Sequence, residues 1–157
     1  IYNICGPYRL IENMLDFGSE DQIRYLVWHE FGHSFVNHLT DAYIRKLLKP
    51  CATLMPPIPA EALERAGVDK SVVVSEWASE HIIRSVTVRL AYLKLGAEAG
   101  DSALRNEIRM GRPHVVQLCE SLKKYELNRE TWPSFREYYP EIVRVFEDVA
   151  RKAPNGK

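Results

Sequence analysis

No apolar run in this sequence reaches the length that a membrane-spanning helix needs. Neither charge is in excess: Lys+Arg and Asp+Glu are 21 each, so the formal net charge is zero. A basic run interleaved with aromatic residues, the footprint of a nucleic-acid surface, is lacking as well. Cysteine is sparse. Cys5, Cys51 and Cys119 lie far apart and form no C-x-x-C pair, which excludes a zinc ribbon. Their odd number argues against a full disulfide framework and favours buried free thiols. One disulfide plus one free thiol is the alternative, so the redox compartment stays open. No internal repeat or low-complexity segment is present. The chain starts at Ile1 without a signal peptide or lipidation motif, which fits a processed form or the back part of a longer protein.

What is present is the composition of a globular protein. The chain has 157 residues, 46% hydrophobic and 27% charged, enough for one domain with a real core. We expect that domain over residues 1–152 and a frayed tail over 153–157. "IYNICGPY" reads as a short strand that stops at Gly6-Pro7. "GSEDQIRYLVWHEFGHSFVNHLTDAYIRKLLK" reads as one or two long helices. Ser19 is its N-cap, and Glu20 and Asp21 suit the positive end of the dipole. The helix must end near "KPCATLMPPIPA", where four prolines fall within ten residues. "PAEALERAG" is a short helix closed by Gly67. "DKSVVVSEWASEHIIRSVTVRLAYLKLG" is a second long helix, capped by Asp69 or Ser71 and ended by Gly96. "GAEAGD" reads as a loop. "RPHVVQLCESLKKYEL" is a third helix with Pro113 in its first turn. "TWPSFREYYPEIVRVFEDVARK" gives one or two closing helices, with Pro140 at a break or a new start. The expected fold class is mostly α, with a short N-terminal β-strand.

"VWHEFGHSFVNHLTD" carries the chemistry. Residues four apart share a helix face, so His29 and His33 can present two imidazole nitrogens to one point. That is the geometry of two ligands of a tetrahedral zinc. Glu30, one residue on, lies beside such a metal and can take a proton from its water. The plain alternative is three ordinary residues that coincide. The flanks weigh against it: between Leu26 and Val36 no residue other than Glu30 is charged. A glutamate and two histidines buried in such surroundings need partners. Gly32 costs helix stability relative to Ala, which implies close packing at that point.

A catalytic zinc keeps three protein ligands and one open position. The longer pattern H-E-x-x-H-x-x-G-x-x-H fails, since Val36 and Leu39 stand where Gly and His are required. His38 is off by one and falls on another face. In "SEWASEHIIRSV", Glu76 and Glu80 are four apart on one helix face, with Arg84 continuing the row. Either carboxylate can be a ligand, and a Glu80–Arg84 ion pair accounts equally well for the spacing.

H-E-x-x-H followed some tens of residues later by a helix with a ligand glutamate resembles the gluzincin zinc metallopeptidases. More closely, "HEFGHSFVN" with "SEHIIRSVTVRL" and "WPSFREYYPEIVRVF" resembles an uncharacterised bacterial family of predicted secreted metallopeptidases. Its members carry HEF-x-HSFVN and a later N-E-H-I block. The first two blocks are specific and the third is weak. The resemblance implies a zincin-like helical domain with one zinc ion held by His29, His33 and Glu80, and Glu30 as general base. It implies a peptide or protein substrate and a secreted or periplasmic setting. Ser79 stands where the pattern has Asn, which keeps Glu76 as a second candidate for ligand or orienting group. Only 28 residues precede the motif. The gluzincin sheet is therefore either missing from the chain, which would make this the back part of an α+β metallopeptidase, or reduced.

Peptide hydrolysis also needs a donor for the oxyanion. Tyr138, Tyr139, His114 and Arg84 can donate, and Tyr139 is the candidate carried forward. His81 points about a hundred degrees away from Glu80 on an ideal helix. "IYNICGPY" offers an edge to an extended substrate. The expected function is zinc-dependent peptide hydrolysis. Two rivals remain: a zinc-bearing peptide-binding domain with catalysis lost, against which the intact Glu30 argues, and a metal-free helical interaction module.

Overall fold

The computed structural model describes residues 9–153. The strand expected at "IYNICGPY", and its proposed edge, lie outside the described residues. The chain is mostly helical, with one short two-stranded antiparallel sheet. Strands β1 (Arg9–Ile11) and β2 (Met14–Asp16) pair with Arg9 opposite Asp16. The turn between them takes Glu12 and Asn13 at φ 48° and 65°, as a tight two-residue hairpin requires. An Arg9–Asp16 ion pair at 2.8 Å closes the open end.

Helix α1 (Glu20–Leu54) is a single 35-residue helix. Ser19 caps it and Gln22 bonds back to the cap, a complete capping box. It runs through Pro50 and stops at Leu54, inside the proline-rich stretch where an end is expected. Helix α2 (Ala60–Ala66) ends at Gly67, whose φ of 64° supplies the left-handed cap. Helix α3 (Lys70–Leu95) starts at Asp69, which accepts from the Ser71 amide, and ends at Gly96.

Residues 97–109, part of which reads as a loop in the sequence, form helix α4 (Ala97–Arg109). The glycine that disguises it has a packing role. A Cβ at Gly100 would lie 2.2 Å from the Tyr92 ring, so only glycine lets α4 fold back onto α3. Helix α5 (Val115–Leu127) follows Pro113, and α6 (Phe135–Lys152) continues unbroken through Pro140.

Helix α3 lies at the centre, against α1, α4 and α5, while α6 packs on α1 and α5. The core joins Val36, Leu39, Leu47 and Cys51 of α1 to Val74, Ala78, Ile82 and Ile83 of α3. Leu118 and Leu122 of α5 and Tyr138, Tyr139, Ile142, Val143 and Phe146 of α6 complete it. Each fully buried Val, Leu, Ile or Phe side chain contributes about 1.5–3 kcal/mol. Cys51 and Cys119 are buried free thiols, and burial pushes both up to about 12. The first half of α1 is thinner. Its apolar Ile23, Val27, Phe31 and Phe35 are exposed, Phe35 at 65%. Among the described residues no helix is long and apolar enough to cross a membrane.

Candidate metal centre

Helices α1 and α3 run antiparallel, and three contacts set their register. Gly32 lets α3 approach, since a Cβ there would stand 2.9 Å from Ile83 Cγ2. Ser79 Oγ donates to Thr40 Oγ1 at 2.8 Å, and Ser75 Oγ donates to Asp41 Oδ1 at 2.6 Å. Residue numbers thus fall on α3 as they rise on α1. This register sets Glu80, next to the tied Ser79, opposite His29 and His33.

The result is a tight triangle. His29 Nε2 and His33 Nε2 are 3.3 Å apart, and Glu80 Oε1 lies 3.3 Å from the first and 3.2 Å from the second. Four ligands at zinc–nitrogen distances on a tetrahedron are about 3.3–3.4 Å from one another. The donor set therefore fits a tetrahedral ion without rearrangement. Asn37 Oδ1, an acceptor only, is 3.2 Å from His33 Nδ1. That nitrogen carries the hydrogen, so His33 Nε2 turns its lone pair to the common point. His29 Nδ1 is buried and has no hydrogen-bond partner. The His29 imidazole, bonded to Glu80, holds its carboxyl down at about 2 against partial burial, with the charges of Arg84 and His33 adding to the effect. Lone pairs and a carboxylate facing one another at such distances repel unless a cation or a proton joins them.

The two carboxylate oxygens of Glu80 face different neighbours. Its Oε1 faces the histidines, while its Oε2 accepts from Arg84 Nε at 3.4 Å. Arg84 also approaches the buried Glu107 at 3.9 Å, and Glu107 is paired with Arg112 at 2.5 Å. A chain of alternating charges thus runs from the core edge to the site. Glu76 is exposed and stands outside the triangle. His38 is exposed on another face of α1. His81 turns inward, stacks on Trp77 at 3.8 Å and bonds to its carbonyl at 2.8 Å. Burial pushes its pKa down to about 4. His114 is half-buried 6.2 Å from His81.

The structure places Tyr139 away from the oxyanion-donor role expected of it. Its side chain is fully buried, and its hydroxyl is 2.7 Å from Thr40 Oγ1. Thr40 gives its own hydrogen to the Val36 carbonyl, so it accepts from both Tyr139 and Ser79. The Tyr139 proton is thereby engaged in the core, and burial pushes its pKa up. Tyr138 is likewise buried and donates to the Ser121 carbonyl.

Glu30 is half-buried and lines an open cleft of about 870 Å³ beside the triangle, together with His29 and Arg84. The far wall is α4, through Arg105, Asn106, Glu107 and Arg109. Sequence reasoning missed this wall with the helix that carries it. The signal available was the spacing of Leu104, Arg105, Ile108 and Arg109, two apolar–basic pairs one turn apart. A second cleft, about 660 Å³, opens on the other side of the triangle along His33, Asn37, Asp41, Glu76 and Glu80.

No curated protein and no solved structure matches the chain. Residues 1–145 match the family described as a domain of unknown function, DUF4932, and the chain belongs to that family.

Proposed function

We propose that this protein is a zinc-dependent metallopeptidase of gluzincin type. The observation that carries the reading is the triangle of His29 Nε2, His33 Nε2 and Glu80 Oε1, with edges of 3.2–3.3 Å. Two helices and a buried hydrogen-bond thread maintain it. When bound, zinc would polarise the scissile carbonyl and lower the pKa of water to about 7. Glu30 receives the proton of the attacking water and delivers it to the leaving amine. Asn37 fixes the tautomer of His33, and Arg84 holds Glu80 by its second oxygen. Of the four oxyanion donors the sequence offers, Arg84 is the one that lines the cleft of Glu30, and it takes that role in place of Tyr139.

The test is Glu30→Gln. The variant retains zinc at the level of the parent and loses hydrolysis of a mixed peptide library. Cleavage at the parental rate would end the mechanism. A zinc-loaded parent that binds peptides and cuts none would leave a binding domain in its place.

A further inference from the structure

The two clefts that flank the triangle carry opposite charge. On the Glu30 side, Arg105 and Arg109 stand one turn apart on α4. Neither has a carboxylate within 4 Å among the described residues, and Arg109 makes a neutral bond to Asn106 Oδ1 at 2.7 Å. Arg84, between them and the triangle, is already engaged by Glu80 and Glu107. On the other side, Asp41 accepts among the described residues only from the Ser75 hydroxyl, and Glu76 follows Ser75 on α3 and lines the same cleft. Neither has a cation within 4 Å among the described residues.

Like charges one turn apart on a helix repel by about 0.2–0.5 kcal/mol, a cost relieved when a counter-charge arrives. Glu30 and Glu107 also line the first cleft, so its basic character belongs to the exposed Arg105–Arg109 edge of α4, and an edge of one sign concentrates the field that a ligand feels. Along α1, Leu26 on the basic side and Asp41 on the acidic side are separated by about 22 Å of helix rise. An extended peptide of about six or seven residues covers that span.

Resting on the peptidase reading for its chemistry, we infer that the substrate is an extended peptide of mixed charge lying across the triangle. Its acidic residue, or its C-terminal carboxylate, sits against Arg105 and Arg109. Its basic residue, or its α-amino group, sits against Asp41 and Glu76. The charge pattern of the groove thus selects the substrate and fixes its direction.

Binding and cleavage are measured separately. Fluorescently labelled octapeptides are titrated by anisotropy into the zinc-loaded full chain carrying Glu30→Gln. One set has blocked ends and one has free ends. Each set contains Lys-to-Glu, Glu-to-Lys, all-Glu, all-Lys and neutral sequences. One mixed-charge order binds about fivefold tighter than the neutral peptide for each matched end, and high salt removes the difference. Arg105→Glu with Arg109→Glu, two exposed positions, transfers the preference to the all-Lys peptide. The blocked set binding as well as the free set assigns recognition to side chains, and its failure assigns it to the termini. Affinities equal within about twofold across all sequences overturn the inference. Ranking by charge without cleavage by the parent keeps the groove and removes the peptidase reading. Cleavage without ranking does the reverse.

Discussion

Residues 20–35 and 36–54 belong to one uninterrupted helix, yet the two halves of α1 are packed very differently. In the second half Val36, Leu39, Thr40, Leu47, Pro50 and Cys51 are buried against α3 and α6. In the first half Gly32 alone is fully buried, while Ile23, Val27, Phe31 and Phe35 face outward. His29 and His33 stand where the close packing begins. The site therefore takes its rigidity from the core below it and its openness from the sparse packing above. Glu80 repeats the arrangement on α3, one residue beyond Ser79, which the core holds through Thr40.

Substitutions in the two halves test this contrast. Leu47, wholly buried in the second half, has the largest expected effect. Leu47→Ala should lower unfolding free energy by about 3 kcal/mol in urea titrations, with the zinc stoichiometry of the folded fraction unchanged. A cost below about 1 kcal/mol would mean that this half is not the anchor.

Next comes Gly32, at the boundary. Gly32→Ala should raise helix propensity but push α3 away through Ile83, lowering zinc affinity about tenfold. Chelator competition measures this. Gly32→Ala combined with Ile83→Ala should recover the affinity, and no recovery would mean that helix spacing does not set the ligand triangle.

Tyr139→Phe removes one buried hydrogen bond. It should cost about 1 kcal/mol of stability and leave zinc affinity and peptide hydrolysis unchanged. A loss of hydrolysis with stability intact would return Tyr139 to the reaction. The smallest effect is expected at the exposed Phe31 and Phe35. Replacing either by Ser should change stability by less than about 0.5 kcal/mol in thermal melts.

Local signals in the sequence were read well. The caps at Ser19, Asp69, Gly67 and Gly96 act within one turn, and the four-residue spacing of His29 and His33 is a property of any helix. Long-range packing was not legible. Gly100 looks like a loop residue until the Tyr92 ring above it is known. Choosing Glu80 over Glu76 depends on the register of α3 against α1, which Gly32–Ile83 and Thr40–Ser79 set across some forty residues or more of sequence. Tyr139 was misread for the same reason, because its hydroxyl partner lies 99 residues away. The apolar flanks imply burial of His29, Glu30 and His33, which are half-buried, because an apolar sequence does not say which of its residues will find a neighbour.

His29, His33 and Glu80 are proposed to form one zinc site. Its most direct test is zinc per chain in protein purified without added metal, for the parent and for Glu80→Ala. Close to one zinc is expected in the parent and a large loss in the variant, with helical content preserved in both. Zinc retained in full without Glu80, or absent from the parent even after it is supplied, would contradict it.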